Sequence, residues 1–155
     1  MIRLMQLEPL NIRDEKVQAF LWQYLEPTDF RHDYTRLDAI KEVERQIYEG
    51  TTQLVGDLDA GLVFRVVARN PKVCEPHIMG DGTKIRSALD QGVLMAWAQG
   101  FEKVVIWTQH DQIARIVERC GFKLGATLPA MHMDRHGELC ALTVLTMERP
   151  QCAMT

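Results

Sequence analysis

Apolar residues recur at helical spacing twice near the start of the chain. Between Arg13 and Glu26, Val17, Phe20, Leu21 and Tyr24 share one face, with Asn11 or Asp14 placed to cap the first turn and Pro27 to end the helix. "TRLDAIKEVERQIYEG" repeats the pattern with Leu37, Ile40, Val43 and Ile47 and closes on Gly50. The period then changes. "TTQLVGDLDAGLVFRVVARN" carries branched and aromatic residues on both sides of the turn-forming Asp57 to Gly61, which predicts a hairpin. "KVCEPHIM" predicts a further short strand, and "IRLMQLEP" another at the start. "GDGTKIRSALDQGVLMAWAQG" predicts a helix entered through Gly80, Asp81 and Gly82 and left at Gly100. "KVVIWTQ" is continuously apolar, the pattern of a strand buried on both faces, and it places Trp107 in the core with Trp97.

The stretch "TQHDQIARIVERCGF" predicts a short polar loop, a helix capped by Asp111, and a stop at Gly121, where glycine takes the left-handed conformation that other residues resist. After it, "FKLGATLPAMHMDRHGELCALTVLTMER" predicts two strands about a turn at Arg135-His136-Gly137, punctuated by Pro129. The order is strand, two helices, antiparallel strands, helix, strand, helix, hairpin. That order predicts an α/β fold: a mixed, mostly antiparallel sheet flanked by helices, with a C-terminal β-hairpin. One domain is expected over residues 1–149, with 150–155 as a loose tail.

Composition narrows the function classes. The net charge of −3 and the lack of a basic stripe interleaved with aromatics argue against nucleic acid or an anionic membrane as partner. Cys74, Cys120, Cys140 and Cys152 are widely spaced with no C-x-x-C pair, which argues against a zinc site and a disulfide framework. The five histidines lack ligand spacing, so no metal site is expected. The opening "MIRLMQLEPL" has neither the apolar run nor the cleavage pattern of a signal peptide, and a cytoplasmic location is expected.

The element order, "SALDQGVLMAWAQGFEKVVIW", and "ERCGF" followed by a hairpin together resemble the core of the GCN5-related N-acetyltransferase (GNAT) superfamily. The resemblance runs from about Val63 to Met147, and the first strand and two helices fit that family's variable front half. It implies acetyl-CoA as donor, an amine as acceptor, and a glycine-bearing loop whose backbone N–H groups receive the pyrophosphate. The family pattern there is Arg or Gln, two residues, Gly, one residue, Gly or Ala. Two matches compete. Aligning "IRSAL" with the family helix puts Asp81 in the Arg/Gln place and Lys84 and Arg86 where glycines belong; aligning the glycines gives His77-Ile78-Met79-Gly80-Asp81-Gly82. Gly80, Gly82, Thr83, Lys84 and Arg86 are therefore the candidate cofactor-binding positions. They compete with the simpler reading of Gly80-Asp81-Gly82 as a turn with a helix start. His110 joins them, because the resemblance puts it, or Asp111 if one residue is skipped, where the family commonly carries an asparagine near the pantetheine arm. The family tyrosine that protonates the departing thiolate is replaced by Val117.

Acetyl transfer needs a base for the amine and a donor for the acyl oxygen. Glu75 lies on the strand leading to the glycine loop, where the resemblance implies a base, and His77 shares its side of that strand. Glu75 alone reads equally as an exposed strand-end carboxylate before Pro76, and the pair either as base and orienting partner or as a structural hydrogen bond. His132 and His136 flank the last turn and are expected in solvent. A second reading keeps the fold without the reaction. "IARIVERCGF" without the tyrosine, and "MDRHGELCALTV", are similar to acetyltransferase-like virion and head-assembly proteins of tailed phages, which implies a structural or assembly role in a virion. The apolar "CALTVLTM" strand is compatible with homo-oligomer contacts.

Overall fold

The computed structural model describes residues 4–134 and 136–151. Strands β1 (Glu8–Pro9), β2 (Thr52–Asp57), β3 (Leu62–Asn70), β4 (Val73–Gly80), β5 (Lys103–Thr108), β6 (Lys123–Met133) and β7 (Leu139–Glu148) form one sheet in the order β1-β2-β3-β4-β5-β7-β6. Every neighbouring pair is antiparallel except β4 and β5. Helices α1 (Glu15–Tyr24) and α2 (Arg36–Tyr48) precede β2, α3 (Ile85–Ala98) links β4 to β5, and α4 (Asp111–Arg119) follows β5. Among the described residues no helix is long and apolar enough to cross a membrane.

Local chemistry sets the helix ends. Asp14 accepts the Lys16 N–H and caps α1, while Thr35 and Asp38 form a reciprocal capping box on α2. Pro27 does more than end α1: it starts a 3₁₀ turn over Pro27–Asp29. Several expectations are corrected. Among the described residues the first strand covers only Glu8–Pro9, whose partners are Gly56 and Val55. Leu37 and Tyr24 are exposed, and Ala39 takes the buried place on α2. Asp111 is the first helical residue of α4 and not its cap; the Thr108 hydroxyl accepts the His110 N–H instead. The expected last turn does lie between β6 and β7, at His136-Gly137, where Asp134 accepts the His136 and Glu138 N–H groups; Arg135 lies outside the described residues.

Two apolar cores lie on opposite faces of the sheet. Leu62, Phe64, Cys74, Leu89, Ile106, Val117 and Leu145 pack with α3 and α4. Val17, Leu21, Ile40, Val43, Leu54, Val63 and Met79 pack with α1 and α2. Side chains alternate across a strand, so the face that takes Met79 also takes Glu75 and His77 of β4, and the face that takes Val63 takes Arg65 and Arg69 of β3.

The β4–β5 seam is the feature that makes a site. Its pairing stops after Val73↔Lys103 and Cys74↔Val104, although both strands run on. Lys103 donates its N–H to the Lys72 carbonyl, so the even-numbered residues of β4 turn their backbone groups toward β5. The next donor on that side belongs to residue 76, a proline without an N–H. The ladder ends there and the strands part.

Candidate functional site

A cleft of about 460 Å³ opens where β4 and β5 part. Glu75, Pro76, His77, Ile78 and Gly80 form one wall and Ile106, Trp107 and Thr108 the other, with Gln109, His110 and Ile113 at the α4 end. Gly82 and Ile85 close it toward α3; Thr28 and Asp29 of the 3₁₀ turn, and His132 and Asp134 of the last hairpin, close the remaining sides. By the same alternation, the N–H groups of Ile78 and Gly80 and the backbone of Trp107 face this gap beyond the last β4–β5 pair. Trp107 is 37% exposed, so the β5 strand is buried on one face only.

A second pocket of about 400 Å³ lies on the α1–α2 face, lined by Arg65, Arg69, Glu75 and His77 of the sheet and by Asp29, Phe30 and Tyr34 above them. The two openings share Asp29, Glu75 and His77. Glu75 is not the exposed strand-end carboxylate its place before Pro76 suggested: it is 4% exposed and gripped by Arg69, with Nε 2.8 Å from one carboxylate oxygen and Nη2 3.3 Å from the other. His77 Nε2 stands 3.7 Å from Glu75 Oε2, an electrostatic contact longer than a hydrogen bond. Burial by itself raises the Glu75 pKa, but His77 and Arg69 outweigh it and hold the carboxyl below the usual carboxylate range.

The glycine-bearing loop has its own arrangement. Gly80 has φ +110°, and a Cβ there would stand 2.0 Å from the Gly61 carbonyl oxygen, the atom that accepts the Asp81 N–H. Its lack of a side chain serves the packing of the β2–β3 turn. Gly82 faces open space, with the nearest atom to an added Cβ at 3.9 Å. Asp81 accepts both the N–H and the hydroxyl of Thr83, so the donor at residue 83 is already used by a carboxylate. Lys84 reaches away to the Ala60 carbonyl at 3.0 Å. Arg86 acts on the charge environment of Cys120, beside α4, and is absent from the cleft wall. Of the candidate positions, Glu75, His77, Gly80, Gly82 and His110 are thus brought together around one cleft, whereas Thr83, Lys84 and Arg86 are not. Val117, at the place of the family tyrosine, is fully buried.

Sequence patterning leaves Arg65, Asp29, Trp107 and His132 out of the site. The available signal for Arg65 is a charged residue at an inward position of the apolar "LVFRVVARN". Among the described residues no group of three His, Cys, Asp or Glu side chains is placed to hold a metal ion.

No protein-family profile and no curated protein sequence matches the chain. Solved structures do. The dodecameric spermidine N-acetyltransferase from Vibrio cholerae superposes over 93% of this chain and 93% of its own, with TM-score 0.71 at 11% identity. The fold is that of the GNAT acetyltransferases. A complex of a Vibrio cholerae spermidine N-acetyltransferase with CoA and spermine gives TM-score 0.73 at 10% identity, over 93% of this chain and 95% of that one. A manganese complex of the spermidine/spermine N-acetyltransferase from the same organism gives 0.72 at 12% identity, covering 94% and 92%. Within the GNAT frame, the parted strands carry the cleft and the α1–α2 side carries the second pocket.

Proposed function

We propose that this chain is an acetyl-CoA-dependent N-acetyltransferase acting on a small amine. The observation that carries the reading is that the β4–β5 cleft and the α1–α2 pocket meet at Glu75 and His77, so groups entering from either side reach the same pair. The fold it shares with an acetyltransferase held in complex with CoA and spermine supports the same reading.

Acetyl-CoA, when bound, supplies an acetyl group activated as a thioester. The cleft fits its pantetheine arm: the backbone edges of β4 and β5 freed by Pro76 are suited to an extended amide chain, which would pair as an added strand does. Gly82 and His110 border that path. The loop fits a pyrophosphate less well, because the Asp81 carboxylate takes the Thr83 N–H and sets negative charge at the helix entrance.

His77 is assigned the proton of the acceptor amine. It is half-buried, lies on both pocket walls, and has a carboxylate held ionised beside it. Glu75 is the weaker base, since Arg69 and His77 stabilise its ionised form, and its carboxylate stands 3.7 Å from the imidazole. The Ile78 N–H, facing the cleft one residue on, is the donor available to an acyl oxygen. His110 is the titratable side chain at the α4 end of the cleft, where Val117 offers no proton.

The test is release of free thiol from acetyl-CoA across a panel of amines. His77→Asn should lower kcat by roughly 10²–10⁴ with the fold unchanged. Absence of both transfer and acetyl-CoA binding would overturn the proposal and leave an assembly protein, such as a virion component, as the reading of the fold.

A further inference from the structure

Arg65 is anomalous in its surroundings. Its neighbours at alternate positions of β3, Val63 and Val67, are apolar, and Arg65 itself is 4% exposed. A guanidinium carries five N–H donors and no acceptor, so burial demands partners. Among the described residues, Arg65 Nε is the buried side-chain nitrogen left without a hydrogen-bond partner. The groups nearby do not supply one. Glu75 is taken by Arg69 through both oxygens. The Phe30 ring covers one face of the guanidinium at 4.5 Å, which stabilises the charge but accepts no directed hydrogen bond at its edge. Asp29 and Glu75 act on Arg65 through space.

The α1–α2 pocket opens on this side chain. Arg65 is paired directly with His77 across β3 and β4, and both side chains point to the same face. A ligand spanning the two therefore needs an anionic group next to its amine.

We infer that this pocket takes an amino-acid-like acceptor, whose carboxylate satisfies Arg65 while its amine lies at His77. This rests on the acetyltransferase reading for the amine's fate, but the carboxylate site does not. An α-amino acid sets the two groups on one carbon, a span suited to two residues facing each other across a ladder. A polyamine would instead bring a cation to a buried guanidinium that Asp29 and Glu75 reach through space without filling the Nε–H. The acceptor class therefore differs from the one for which the Vibrio cholerae enzymes are named. Arg65 acts here as a binding residue, and Phe30 and the 3₁₀ turn hold it in place.

The experiment uses pairs of probes that differ only by the carboxylate: L-lysine against cadaverine, and L-phenylalanine against phenethylamine. The first readout needs no activity. The Arg65 Nε–H resonance of the labelled wild-type protein should shift on titration with either amino acid and stay in place with either amine. The second is acetyl transfer, where kcat/KM should favour the amino acid by about 10- to 100-fold, a preference that collapses in Arg65→Met. If the Arg65 resonance ignores both amino acids up to tens of millimolar, the inference is overturned; transfer to the plain amines would then leave the acetyltransferase reading standing. If both amino acids shift the resonance and no amine is acetylated, the carboxylate site stands and the reaction falls.

Discussion

Gly80 and Gly82 lie two residues apart in one loop, and the structure assigns them opposite sensitivities to alanine. At Gly80 the added Cβ meets the Gly61 carbonyl oxygen at 2.0 Å and the Phe20 ring at 2.9 Å, at a φ of +110°. Holding a non-glycine residue in so sparsely populated a conformation costs about 1–3 kcal/mol. The β2–β3 turn must also give way, which forfeits the hydrogen bond from the Asp81 N–H to Gly61, worth about 1 kcal/mol. Gly80→Ala should therefore lose roughly 2–4 kcal/mol, a fall in Tm of about 5–15 °C for a domain of this size. At Gly82 the Cβ meets nothing closer than 3.9 Å, and Gly82→Ala should stay within about 0.5 kcal/mol. Urea unfolding of both variants, followed by circular dichroism, measures the contrast. A Gly80→Ala protein as stable as wild type, or two variants equally damaged, would refute the assignment of Gly80 to packing.

Three further outcomes are expected. Pro76→Ala restores the donor for the next β4–β5 rung, toward the Val105 carbonyl; one net hydrogen bond of about 1 kcal/mol should weaken acetyl-CoA binding about fivefold, and a new backbone amide at position 76 that exchanges freely with solvent would count against the rung. Glu75 has its pKa depressed in the fold, so it stabilises the protein above the free-carboxylate value of 4.5 and loses that contribution as pH falls through its lower folded value. Glu75→Gln should flatten this acid limb of the stability–pH curve, and an unchanged limb would contradict the Arg69–Glu75–His77 account. Asp81→Asn removes the negative charge at the loop, so it should tighten CoA binding while leaving S-acetylpantetheine binding unchanged; equal effects on both would show that the loop does not meet the phosphates.

Much of the fold was legible because backbone rules are local. Gly50, Gly100 and Gly121 each follow a helix and each has positive φ, as their positions after apolar-periodic segments implied. The branched runs on either side of Asp57 to Gly61 became the β2–β3 hairpin in the expected sense. The resemblance pointed to Glu75, and strand alternation, which survives any error of a residue or two at the strand ends, set His77 on the same side. What the sequence hid depends on register. Pro76 looked like punctuation beside Glu75; that it breaks the β4–β5 ladder follows only once Lys103 is known to bond to Lys72. Arg65 acquires meaning only when it is set opposite His77 in the pairing of β3 with β4. Lys84 looked like phosphate-binding charge by position, but its flexible stem reaches the Ala60 carbonyl across the loop, a contact that spacing along the chain does not encode. The segment after Pro27 offered no periodicity at all, yet its 3₁₀ turn walls both openings.

Whether the gap left by Pro76 is a binding cleft for an acyl donor decides the rest, and titration calorimetry with acetyl-CoA tests it most directly. Wild type should bind in the micromolar range, and Gly82→Arg, whose side chain enters open space at the cleft mouth and leaves the fold intact, should abolish the heat. Absence of wild-type binding at millimolar acetyl-CoA, or equal binding by a folded Gly82→Arg variant, would contradict the claim.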